Sequence, residues 1–208
     1  MKHILCFGDS NTYGLIPQIN GRYSWDERWT GILNYKLGLF NYRIIEDGLC
    51  GRTTIFEDPL RDNRNGSKIL PTVLETNNGI DAIILMLGTN DCKTVYGATA
   101  EIIGKGIERL INIIKQYSIT SKILLVSPIH FGEKVWHNEY DPEFSPNSII
   151  VNKGLANVYE NIANKENILF LDASIYAQPS NEDQEHLNAE GHKALAEAIY
   201  NKLVDVII

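Results

Sequence analysis

Lys2-His3-Ile4-Leu5-Cys6-Phe7-Gly8-Asp9-Ser10 decides the fold. The run up to Phe7 is apolar almost without interruption, the pattern of a β-strand covered on both faces. It stops at Gly-Asp-Ser, residues that favour turns. Four further runs read the same way: Tyr42–Glu46, Asp81–Leu87, Lys122–Ser127 and Asn167–Asp172. Helical spacing fills the intervals. Trp29, Ile32, Leu33 and Leu37 share one helix face, with Asp26 as the expected cap and Gly38 as the stop. Thr99 caps a long helix carrying Ile103, Ile107, Leu110, Ile111 and Ile114, and Asn188 caps a last one carrying Leu195, Ile199 and Leu203. Strand alternating with helix predicts right-handed crossovers and a three-layer α/β/α sandwich on a five-stranded parallel sheet. The expected strand order is the flavodoxin-like 2-1-3-4-5, with its switch point between strands 1 and 3.

The chain has 208 residues, enough for one domain spanning 1–208 with a proper core. A net charge of −7 gives no overall attraction to nucleic acid. No run approaches the about 18 apolar residues of a membrane helix, and the chain enters strand-like sequence without a basic-then-apolar leader. Cys6, Cys50 and Cys92 are too few and odd in number for a disulfide framework, so a cytoplasmic protein is expected. Cys50 and Cys92 adjoin Gly51 and the Asn90 segment, so convergence of those loops would make the two thiols neighbours; small apolar filling is the simpler role for both, and a redox link is the alternative. Asn65-Gly66-Ser67 reads as a turn leading into a helix rather than a glycosylation acceptor. Pro17–Asp26 and Phe131–Pro146 lack a strong pattern and are candidates for loops that shape access to a site.

Four segments carry chemistry: Gly8-Asp9-Ser10, Gly51, Gly88-Thr89-Asn90-Asp91 and Asp183-Gln184-Glu185-His186. The predicted topology brings all four to one end of the sheet, where ligands bind in open α/β folds. A serine hydroxyl needs a base to become a nucleophile. Three-residue spacing on a turn lets Asp183 reach Nδ1 of His186, which leaves Nε2 for Ser10 and reproduces the roles of a serine–histidine–acid triad. The Ser10 amide, the Gly51 amide and the Asn90 side chain are the candidate oxyanion donors. Gly48 competes with Gly51 for that part. The bland alternative makes Gly-Asp-Ser and Asn90 turn residues, with Asp183 and Glu185 solvated ahead of a helix. Arg52, Thr53 and Thr54 read as loop anchors.

Gly-Asp-Ser, Gly51, Gly-Thr-Asn-Asp and Asp-x-x-His-Leu together resemble the SGNH hydrolases, also called GDSL esterases. The Ser, Gly, Asn and His of that name fall on Ser10, Gly51, Asn90 and His186. Arg28-Trp29-Thr30-Gly31 and Arg52-Thr53-Thr54 resemble the arylesterase and acyltransferase-like branch. The resemblance implies hydrolysis of small carboxylic esters without a metal or other cofactor, a flavodoxin-like sandwich and, in some relatives, a homo-oligomer. It also implies a structural role for Asp9. Asn11 stands where many members have leucine, and Gln184 where glycine is common. No Gly-x-Ser-x-Gly elbow is present.

Three other functions fit parts of the sequence. A carbohydrate O-deacetylase of the same superfamily would use Trp25, Trp136, His137 and Tyr140 to receive a sugar. A phosphate- or flavin-binding protein would use Gly8–Gly14, but Asp9 puts a negative charge in that cradle. A metal site from His186, Glu190 and His192 is disfavoured, because residues two apart on a helix face differently.

Overall fold

Alternate side chains of a strand point to opposite faces, so a strand with helices on both sides must be apolar at every position. β1 (Lys2–Gly8) behaves this way. Leu5 and Phe7 enter one core with Ile83, Leu85, Ile103 and Ile107. Ile4 and Cys6 enter the other with Ile84, Met86, Trp29 and Leu195. The computed structural model describes residues 1–19 and 21–207, and of 205–207 only the backbone.

The remaining strands are β2 (Tyr42–Gly48), β3 (Ala82–Met86), β4 (Lys122–Ser127) and β5 (Leu169–Asp172). All pair in parallel, in the order β2-β1-β3-β4-β5. Gly8 is level with Gly48 on one side and Met86 on the other, so three strands end together and their following loops meet. The expected sheet and its switch point are therefore present. β5 is two residues shorter than expected, since Asn167 adopts a left-handed conformation and terminates the preceding helix.

The helices are α1 (Ser10–Tyr13), α2 (Trp29–Leu37), α3 (Gly66–Thr76), α4 (Ala100–Tyr117), α5 (Pro146–Glu166) and α6 (Ala189–Ile207). Thr99 caps α4, accepting from the Ile102 amide. Asn188 accepts from the Gly191 amide at 2.8 Å, and Asn65 opens α3 by accepting from Ser67. Asp26, the cap expected for α2, is not one. Arg28 occupies the cap position without a side-chain bond, and Asp26 instead accepts from the Ser24 hydroxyl at 2.7 Å. The buried face of α5 mixes the polar Ser148 and Asn152 with Ile149, Leu155 and Tyr159. Phe131–Pro146 is irregular up to Pro146, where a Ser145 capping box starts α5. Pro17–Asp26 carries no helix or strand over its described part; Asn20 lies outside the described residues. Among the described residues, no helix is long and apolar enough to cross a membrane.

Candidate active site

α1 starts directly where β1 ends, and that sharp entry fixes Ser10. A side chain on Gly8 would put Cβ 2.1 Å from Thr12 Oγ1 and 2.9 Å from the Met86 carbonyl, so only glycine lets α1 fold back over the sheet edge. Asp9 holds the turn by accepting from the Asn11 amide at 3.0 Å. Its carboxyl is raised from the ordinary value, chiefly by burial, with the Asn11 amide and the His186 charge pulling the other way.

The segment between β5 and α6 brings His186 to this point from the far end of the chain. His186 Nε2 lies 2.8 Å from Ser10 Oγ, and Nδ1 lies 2.7 Å from Asp183 Oδ2. The other Asp183 oxygen accepts the amides of Glu185 and His186 at 3.0 and 2.9 Å, which aims Oδ2 at the ring. That arrangement selects the tautomer with its proton on Nδ1 and the Nε2 lone pair toward the serine hydroxyl. Gln184 makes the turn possible by taking a φ of +65°, the left-handed region that glycine enters freely. Gln184 N–H donates to the Ser180 carbonyl, and its own carbonyl accepts from Gly132, both at 2.8 Å.

Asp183 and Glu185 are not solvated: the Asp183 side chain is 13% exposed and that of Glu185 7%. Burial raises the Asp183 carboxyl, but the hydrogen bond and charge of His186, with the two amides, outweigh it and leave the group lowered. For His186, burial disfavours the charged ring. The Glu185 carboxylate, then Asp183 and Asp9, outweigh that effect and raise the ring to about 9.

Two neighbouring loops complete the cleft. Gly51 follows β2 in a turn at φ +84°, and its Cα packs against the Arg61 guanidinium. Gly48 lies within β2, where a Cβ would collide with the Tyr13 amide. The two glycines thus do different jobs: Gly48 admits α1, and Gly51 turns the loop. Among the described residues, neither the Ser10 nor the Gly51 amide has a hydrogen-bond acceptor. Asn90 opens a short 3-10 turn after β3 and donates one Nδ2 hydrogen to the Arg52 carbonyl at 3.2 Å, leaving the second. Asp91 accepts from the Thr54 amide at 2.9 Å and from the Thr54 hydroxyl, tying the two loops together. Burial, its largest influence, raises the Asp91 carboxyl to about 7. Arg52 anchors the base of the loops through the Gly8 carbonyl and Asp47.

Two residues at the site were not legible from the sequence. Asn11 Oδ1 accepts the Leu187 amide at 2.9 Å, tethering the serine turn to the histidine turn. The indole of Trp29 holds the Asn11 carbonyl at 3.1 Å. An amide side chain beside the serine, where many relatives carry leucine, was the available signal. Glu185 is the other; its burial depends on how the turn faces the cleft, which spacing does not encode. Cys6, Cys50 and Cys92 are free thiols, with Cys92 donating to the Gly88 carbonyl. His192 is buried in α6 and accepts the Trp29 amide at 3.3 Å. Among the described residues, no group of His, Cys, Asp and Glu is placed to hold a metal ion.

Comparison with known proteins identifies the family and the fold. The model of the GDSL-like lipase/acylhydrolase family matches residues 6–194. The carbohydrate acetylesterase Est24 from Sinorhizobium meliloti superposes over all of both chains with a TM-score of 0.92 and 32% identity. The inhibitor-bound aryl esterase of M. smegmatis does so over all of both chains with a TM-score of 0.90 and 28% identity. Comparison with curated proteins gave no match. With the strand order and the family model in agreement, the chain belongs to the GDSL-like lipase/acylhydrolase family, the SGNH ester hydrolases.

Proposed function

We propose that this carboxylic ester hydrolase works through Ser10, His186 and Asp183, with the Ser10 and Gly51 amides and the Asn90 side chain receiving the oxyanion. The observation that carries the reading is the continuous relay Ser10 Oγ–His186 Nε2–Nδ1–Asp183 Oδ2, at 2.8 and 2.7 Å. Ser10 Oγ attacks the ester carbonyl as its proton passes to Nε2. The carbonyl π pair moves onto oxygen, where three donors receive it. Collapse re-forms the carbonyl and breaks the bond to the alcohol oxygen, which takes the proton from Nε2. Water then attacks the acyl-serine by the same route and releases the acid, regenerating Ser10. An alcohol that reaches the acyl-serine before water takes the acyl group instead.

Aryl esters or other esters with short acyl groups are the substrates of choice. The likeness to an aryl esterase of M. smegmatis supports this choice. A carbohydrate O-deacetylase is the second reading. The likeness to an acetylesterase of carbohydrates supports it, as do the exposed rings of Trp25 and Trp136, the latter edge-on to His137 at 4.3 Å. The free thiols are compatible with a cytoplasmic location.

Nitrophenolate release from p-nitrophenyl acetate and its longer-chain homologues, with acetate release from peracetylated xylose, tests the assignment. Turnover that is greatest on acetyl esters and absent in Ser10→Ala is expected. Full turnover in Ser10→Ala would overturn the mechanism. A preference for long acyl chains would overturn the substrate class.

A further inference from the structure

Asp183 accounts for one nitrogen of the His186 ring; a second carboxylate stands at the other. Glu185 Oε1 lies 3.8 Å from Nε2, the nitrogen that faces Ser10. The residue is 6% exposed, and among the described residues no amide or side chain donates a hydrogen bond to its carboxylate. Asp183, by contrast, accepts three. A mostly buried carboxylate with no protein donor is favoured by a nearby positive charge.

We infer that Glu185 is a positioning residue that acts through His186: its carboxylate stabilises positive charge on the Nε2 side of the ring and moves the working range of the base to higher pH. The inference rests on the reading of His186 as the general base. Several other charges face the pair. Asp183 shares the turn, and Asp9 approaches the ring from the β1–α1 junction. His192 on α6 also interacts with the ring but is lowered to about 4, first by burial, and stays neutral. Lys93 and Asp141 face Glu185 from the loops after β3 and β4. Lys93 is also paired with Glu143, and of the two cations His186 acts on Glu185 more strongly. Burial raises the Glu185 carboxyl itself to about 7, with His186 acting in the opposite sense.

The sign follows directly. His186 accepts the serine proton only when neutral, so activity rises with pH as the imidazolium deprotonates. Removing the Glu185 charge destabilises the imidazolium and makes neutral ring available at lower pH. An opposite charge at such a distance moves a pKa by about one to three units.

The test is the pH dependence of kcat/KM on p-nitrophenyl acetate for wild type and Glu185→Gln. The acidic limb of the variant is expected about one to three pH units lower. NMR titration of the His186 ring, comparing Ser10→Ala with Ser10→Ala/Glu185→Gln, should give a downward shift of the same size. Should Glu185→Gln fold poorly, Glu185→Met is read in the same two ways. An unmoved limb and an unmoved ring titration, including a uniform loss of rate across pH, would overturn the inference. Full activity in Ser10→Ala would instead remove the underlying mechanism, so the two failures are distinguishable.

Discussion

The two ends of the sheet both carry serines, and only at one of them does an imidazole face the hydroxyl. At the amino ends of β4 and β5 an open groove is lined by Lys115, Ser118, Ser121 and Glu166. There Ser118 and Ser121 face each other at 2.6 Å, Ser121 donates to the Ile80 carbonyl, and Lys115 pairs with Glu166 at 2.6 Å. These contacts hold a loop and join two helix ends, and none sets a base against a hydroxyl. At the carboxyl ends Ser10 faces an imidazole, and the imidazole faces a carboxylate fixed by two amides. A groove becomes a site through a proton acceptor aimed at the hydroxyl, not through its openness.

That contrast can be broken most severely at the relay. Ser10→Ala and His186→Ala should each lower kcat roughly a million-fold while circular dichroism reports an intact fold. Asp183→Asn should cost roughly ten-thousand-fold, because an amide cannot hold the Nδ1 proton as the carboxylate does. A loss no larger than tenfold would remove the orienting role from Asp183. Asn90→Ala should reduce kcat by about a hundred- to a thousand-fold with KM little changed, since its free amide hydrogen acts on developing charge. At the opposite end, Lys115→Ala removes a half-exposed ion pair. It should leave kcat/KM unchanged and shift the stability measured in urea by no more than about 1 kcal/mol. Lost activity in that variant would erase the distinction between the two ends.

The sheet was legible because its rule is local: each strand lies between helices, so each reads as an apolar run. Ser10, Asn90 and His186 were legible because each sits in a short motif at a strand end or before a helix. Asp183 followed from three-residue spacing on a turn. The undecided choice between Gly48 and Gly51 needed three dimensions, since only the packing of α1 on Gly48 and the positive φ of Gly51 separate them. Asp26 failed as a cap because Ser24 sits two residues before it and captures its carboxylate. Asn11 and Glu185 escaped for another reason. Their roles depend on contact between segments some 176 residues apart, or on which way one turn faces a cleft.

Mass-spectrometric mapping after labelling with a fluorophosphonate bears most directly on the claim that His186 activates Ser10. A single adduct on Ser10 is predicted, formed rapidly in the wild-type protein and lost in His186→Ala. Labelling at another serine, or undiminished labelling of Ser10 without His186, would contradict it.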